Sequence, residues 1–307
     1  MPKNILSRSF WLLCGAALIG AVSIATAMPA ARLAADDAQM CRKESGDAAL
    51  SACSRAIASG RYQGHGLAVL LDSRAIEYHR KGGDDHAMAD YSEAIRHDPD
   101  DARAYNNRGT IWLARRAYDR ALADFSAVIR VDPQDPDGFS NRGATWKLKG
   151  EPDRAIADLD EAIRLDPQDH CAFNNRALAW SDKHDNVRAI ADFSAAIRLN
   201  PKYAAAFNNR GIIWREHGDH ARAIADHDAA IRLKPRVAVF YVNRGKAWSN
   251  NGDRARAIAD YSAAIRLKPD DAMALYARGL AKQESGDNAG GTADIAAAKR
   301  IDPEVAE

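Results

Sequence analysis

The 307 residues hold no Gly-x-Ser-x-Gly elbow, no glycine-rich phosphate loop and no Cys-x-x-Cys pair. Each of those motifs fixes a reactive or phosphate-binding group at a set spacing. Without them, and with no convergent set of titratable side chains, no active site is legible and no enzyme is predicted. An excess of one charge is lacking too, with 43 Lys plus Arg against 42 Asp plus Glu. That balance excludes the basic footprint of a nucleic-acid binder. Potential metal ligands are sparse. His217, His220 and His227 come near one another in sequence, but the first two flank a solvated turn, so neither a metal nor a cofactor is expected. Proline is scarce, 11 in all, yet Pro99, Pro133, Pro167, Pro201, Pro235, Pro269 and Pro303 keep one 34-residue spacing without a slip. An unbroken register of this kind marks a stacked array rather than one globular core.

Residues 238–271 show what is stacked. Tyr241, Gly245 and Trp248 fall on one face of a first helix, and Ala257, Tyr261, Ala264 and Ile265 form the stripe of a second. Asn251, Gly252 and Asp253 supply turn chemistry between them. Pro269 ends the second helix, because it has no N–H to donate and disfavours helix in the residue before it. A lone hairpin of this size cannot bury its stripe, so each unit must lean on its neighbours. The spacing of aromatic, small residue, aromatic, Ala/aromatic/Ala trio and closing proline resembles the tetratricopeptide repeat. The resemblance covers seven units over residues 68–305. It implies an all-α fold: an α-solenoid of stacked antiparallel helix pairs wound as a right-handed superhelix.

The end units depart from the pattern. Tyr78 stands where the inner units have Trp112, Trp146, Trp180, Trp214 and Trp248, and Lys282 takes that place in the last unit. Gly290 and Gly291 weaken the final helix, and Lys299 replaces a core Ile. Polar, atypical end units are what a soluble solenoid requires. Gly109, Gly143, Gly211, Gly245 and Gly279 lie mid-helix, each at a cost of about 1 kcal/mol against Ala. The cost makes sense where two helices approach closely, and Ala75 and Ala177 show that the slot admits only a methyl more.

Residues 1–27 have the form of an export signal. Lys3 and Arg8 precede an uncharged, mostly apolar run, and Ala25-Thr26-Ala27 offers a small-residue cleavage site. The alternative is a retained anchor, since residues 10–28 are uncharged and just long enough to span a bilayer. Cleavage would leave no stable membrane span and a periplasmic or secreted protein. Residues 28–67 carry an Ala-rich entry and a degenerate helix pair turning at Ser45-Gly46-Asp47. Cys41 and Cys53 flank that turn and can face each other across an antiparallel hairpin. A disulfide there would staple an end unit that has a neighbour on one side only. Cys171 has no evident mate, which leaves either an inert buried residue or a thiol that pairs between chains.

Every unit carries Arg where the family usually has an apolar residue, and Asp sixteen residues on. Arg108 with Asp124, Arg210 with Asp226 and Arg244 with Asp260 are examples. An Arg–Asp ion pair joining the two helices, or adjacent units, is expected. A competing partner for the Asp is the Arg four residues before it, such as Arg256 before Asp260. In the family the first helices line a concave groove. The matching positions here hold Asn106, Asn107, Asn174, Asn175, Asn208 and Asn209, with Asn141 and Asn243 continuing one row. An Asn amide both donates and accepts, so it can clamp an extended peptide backbone. The row resembles the asparagine ladders of peptide-binding tetratricopeptide superhelices; local bonds between units are the other reading. Val239, Val242, Met273 and Tyr276 make the far end of the groove apolar, a second candidate contact patch. The paired cations of the family's carboxylate clamp are missing from these rows. The implied function is a noncatalytic scaffold that binds a protein or peptide segment. The alternative is a self-assembling or envelope-tethering protein, homo-oligomeric through its C-terminal end or Cys171.

Overall fold

The computed structural model describes residues 30–305. The export signal read over residues 1–27 lies outside the described residues. Among the described residues there are sixteen α-helices and no strand. In chain order these are α1 (Ala30–Lys43), α2 (Gly46–Ala58), α3 (Gly64–Arg80), α4 (Asp84–His97), α5 (Ala102–Ala114), α6 (Tyr118–Val131), α7 (Pro136–Lys149) and α8 (Pro152–Leu165). They are followed by α9 (His170–Asp182), α10 (Asn186–Leu199), α11 (Ala204–Glu216), α12 (His220–Leu233), α13 (Ala238–Asn250), α14 (Arg254–Leu267), α15 (Ala272–Glu284) and α16 (Asn288–Ile301). Helices α1–α8 lie in one compact unit and α9–α16 in a second, with the division after Pro167. Within each unit every helix packs on the next. Each first helix of a pair also packs on the first helix of the following pair. No described helix is long and apolar enough to cross a membrane.

Local chemistry sets the helix ends. Asp101, Asp135, Asp169 and Asp271 each accept a backbone N–H at the start of a first helix. Asp185, Asp219, Asp253 and Asp287 do the same for second helices. Lys268, just before Pro269, leaves the helix in an extended conformation (φ −141°), as the proline ring demands. The turn inside each pair needs a left-handed residue. Gly252 supplies it at φ 85°, while Arg116 and His184 hold the same position at φ 59° and 60°. The entry segment is helical from Ala30, so α1 begins ahead of the degenerate pair, which the sequence placed at residues 40–60. Its alanines favour helix wherever a partner is near. The Cys41 and Cys53 sulfurs are bonded, joining α1 to α2. The Glu77 carboxylate accepts the Gly46 N–H at 2.7 Å, which ties the start of α2 to α3.

The core is built from small residues and one large residue per unit. Ala87, Ala121, Ala155, Ala189, Ala223 and Ala257 are fully buried, and Tyr91, Phe125, Leu159, Phe193, His227 and Tyr261 fill one recurring slot. Each large side chain lies against the mid-helix small residue of its own unit. A Cβ added at Gly245 would fall 2.7 Å from the Tyr261 ring, and one at Gly109 2.8 Å from Phe125. Gly245→Val is therefore expected to destabilise by about 1–3 kcal/mol. Gly245→Ala should cost less, since Ala75 and Ala177 occupy the same slot. Urea unfolding of both variants checks the order.

Candidate functional site

The Arg–Asp pairs fix how each first helix faces its second. Arg108 donates from Nε and Nη2 to both Asp124 oxygens, at 2.9 and 2.7 Å. Arg210 grips Asp226 at 2.8 and 2.7 Å, and Arg244 grips Asp260 at 2.8 and 2.6 Å. Arg74, Arg142, Arg176 and Arg278 hold Asp90, Asp158, Asp192 and Asp294 in the same two-pronged way. The aspartates are buried. Such forks are strong where the carboxylate has lost its water. A third donor reaches the preceding pair: Arg108 Nη1 to Ser92 at 3.0 Å, Arg210 Nη1 to Ser194 at 2.9 Å, Arg244 Nη1 to Asp228 at 2.5 Å. One guanidinium thus links three helices, and its bonds to Asp260 and Asp228 hold the Arg244 pKa above the ordinary guanidinium range. The competing arginine is occupied elsewhere. Arg120, Arg154, Arg188, Arg222 and Arg256 stack on the tryptophans of their own units, 4.4–4.7 Å from the ring centres. In the first regular unit His86 stacks on Tyr78 instead.

Because the forked arginines point to the second helices, the residues one and two positions before them point away from those helices. That face carries the asparagines, and they bond along the array. Asn141 Nδ2 donates to Asn106 Oδ1 at 2.8 Å. Asn243 Nδ2 donates to Asn208 Oδ1 at 2.9 Å, and Asn209 Nδ2 to Asn174 Oδ1 at 3.3 Å. Asn107 Nδ2 reaches Asp72 Oδ1 at a long 3.5 Å, and Arg103 Nη2 lies 2.8 Å from Asp72 Oδ2. Burial pushes the Asp72 carboxyl up to about 6 against the pull of Arg103. Asn174 and Asn208 are buried, and Asn106, Asn107, Asn141, Asn175, Asn209 and Asn243 are half-buried. Each such bond uses one N–H or one lone pair of an amide that has more to give. At the apolar end Val242 is buried and Met273 packs on its cluster, while Val239 packs beside Phe240 and Tyr276 is half-buried.

The other candidate groups do not converge. His227 is sealed in the core slot against Gly211, whereas His217 and His220 line the turn beside Asn251. Asp169, His170 and Cys171 bring ligand atoms within 4.8 Å of one another. Asp169 caps the Cys171 N–H, His170 bonds Asn200, and no described cysteine is a free thiol. Two groups on the asparagine face escaped the sequence reading, Arg215 and Lys246. Lys246 was detectable, because it fills a slot that holds Ile76, Thr110, Ala144, Leu178, Ile212 and Leu280 elsewhere.

Helix pairs repeated at one spacing, wired pair to pair and exposing a polar face of first helices, define a hairpin-repeat protein of the kind that supports protein–protein interaction. The tetratricopeptide repeat profile matches residues 77–136 and 181–238, and a second repeat profile of the same family matches residues 250–286. Together they span half of the chain, and the chain belongs to the tetratricopeptide repeat family. Among solved structures, a tetratricopeptide repeat protein from Parabacteroides merdae is similar at 18% identity and a TM-score of 0.64, over 82% of this chain and 98% of that one. The Cut9–Hcn1 structure of the APC/C is similar at 18% identity and a TM-score of 0.65, over 83% of this chain but 50% of that one. PilF of Pseudomonas aeruginosa is similar at 17% identity and a TM-score of 0.59, over 66% of this chain and 92% of that one. At such identities the likeness is one of fold. No curated protein matches the chain.

Proposed function

We propose that this is an exported, noncatalytic scaffold that holds an extended peptide or protein segment along the first-helix face. The supporting observation is the amide row. Asn106 with Asn141, and Asn208 with Asn243, are held in place by one another, so their remaining donors and acceptors are oriented before a ligand arrives. Pre-orientation lowers the entropy lost on binding. An extended backbone offers alternating N–H and C=O groups that match such a row. Export rests on the N-terminal segment and agrees with the bonded Cys41–Cys53 pair.

Placing a photocrosslinking residue at Asn208 tests the reading in cells, with exposed Arg232 on α12 as the control. Adducts from 208 and none from 232 are expected. Adducts of equal yield, or from 232 alone, would remove the first-helix face from the argument. A second reading, self-assembly through the chain end, is favoured by Leu280 and Ile301, which are 39% and 47% exposed on the last pair. A monomer in sedimentation over a wide concentration range would exclude it.

A further inference from the structure

The loop that follows each second helix changes its charge in two neighbouring places. After α4 it carries Asp98, Asp100 and Asp101, and after α6 it carries Asp132 and Asp135. After α10 the same three positions hold Asn200, Lys202 and Tyr203, and after α12 they hold Lys234, Arg236 and Val237. Two helix caps are lost with the aspartates. Asp101, Asp135, Asp169 and Asp271 cap α5, α7, α9 and α15. Tyr203 and Val237 give α11 and α13 no side-chain cap. A cap stabilises the helix start it serves, so these two loops give up local stability while they gain cations. The arginine near the end of every second helix suits a helix C-terminus and recurs in all units; the loop cations do not. Asp100 accepts a bond from Arg130, thirty residues on, at 3.1 Å. Arg236 and Arg266 have the same offset, so like charge stands where the earlier loop makes a bond. Lys202, Lys234 and Arg236 are exposed, and none has a side-chain partner among the described residues. Like charges gathered on a surface repel, and an anionic partner relieves that repulsion.

We propose that the two basic loops, α10–α11 and α12–α13, dock on the acidic loops α4–α5 and α6–α7 of a second copy of this chain. The chain as a whole is nearly neutral, yet its signs are sorted by loop. Residues 98–101 and 132–137 hold six aspartates and no Lys or Arg, whereas residues 200–203 and 234–237 hold three cations and no acid. Each chain thus carries one set of either sign, and two copies complement each other in charge. Asp100 and Asp132 are exposed, so a partner can reach them. A contact between exposed charges is weak and is screened by salt. That separates it from an apolar contact through Leu280 and Ile301, which salt does not weaken. Nothing in the contact involves the amide row.

Two variants exchange the loop chemistry with residues that the repeat already accepts at those positions, so both are expected to fold. One combines Lys202→Asp, Lys234→Asp and Arg236→Asp and makes the basic loops acidic. The other combines Asp100→Lys, Asp132→Lys and Gln134→Arg and makes the acidic loops basic. Sedimentation of the full chain from about 1 μM to about 1 mM follows association. The unaltered chain should associate at about 0.05 M salt and do so about tenfold more weakly at about 0.5 M. Either variant alone should stay monomeric where the unaltered chain associates, because all its contact loops then share one sign. The two variants mixed should associate again. Circular dichroism and urea midpoints check that both are folded, and the salt series on the unaltered chain decides the matter even where one is not. An unaltered chain that stays monomeric at low salt, or whose association ignores salt, overturns the contact. So does a mixture of folded variants that stays monomeric. A monomer that binds phosphatidylglycerol vesicles, and loses them in the Lys202, Lys234 and Arg236 variant, would assign the basic loops to a lipid surface instead.

Discussion

Replacing Arg210 with leucine is expected to lower the unfolding free energy by about 3–5 kcal/mol, the range for breaking one side of a buried ion pair. Asp226 is 9% exposed and takes two bonds from that guanidinium, so the variant leaves a carboxylate with neither water nor partner. The Ser194 hydroxyl on α10 loses its donor as well. The damage therefore reaches α10, α11 and α12 and weakens the seam between two units, and in a repeat array that seam carries much of the stability. Arg210→Leu combined with Asp226→Leu should recover most of the loss, because an apolar pair of similar volume is often as good as a buried ion pair. Arg198→Ala, on an exposed helix face, should change stability by less than about 0.5 kcal/mol. Urea unfolding of the four proteins decides the matter. If Arg210→Leu behaves like Arg198→Ala, the forked pairs are surface decoration.

The proline register and the paired apolar stripes made the helix pairs legible in the sequence, because a 34-residue period leaves one way to bury both stripes. The co-occurrence of Arg and Asp sixteen residues apart showed which side chains to watch. It did not show the third donor to Ser92 or Ser194, because serines on the outer side of a helix carry no pattern of their own. His86 and Gly290 in the slot of Arg256 already counted against that arginine as the partner of the aspartate, and the structure gives it another partner: Trp248 offers a flat face 4.5 Å from the Arg256 guanidinium. The asparagines were visible as a row. Their mutual bonds were not, since those depend on the one-position stagger that sets Asn243 beside Asn208 rather than Asn209. Arg215 and Lys246 share no residue type with the matching positions of the other units, so the periodicity of the chain does not mark them.

His227 breaks the rule inside the core, and it should make stability depend on mild acid. Its slot holds Tyr91, Phe125, Leu159, Phe193 and Tyr261 in other units. Here an imidazole is fully buried with both ring nitrogens unpartnered. Burial, then the nearby charges of Arg215 and Arg244, push its pKa down to about 3. The unfolded chain takes up that proton near the ordinary value of about 6.5. Between the two values the unfolded state binds more protons than the folded state, so stability falls as the pH falls. The full contribution is present above about 6.5, and the loss runs at about 1.4 kcal/mol per pH unit down towards the folded value. His227→Phe should remove that slope. It should also stabilise the protein by about 1–3 kcal/mol at pH 7.5, because it deletes two unsatisfied buried nitrogens. The ring fits, since Phe125 and Phe193 already fill the slot against Gly109 and Ala177. Carboxylates titrate in both proteins alike, so the difference between their urea midpoints at pH 7.5, 6 and 5 isolates this residue. A gap that widens as the pH drops supports the assignment. Parallel profiles would mean that the His227 ring reaches water or a proton acceptor in solution.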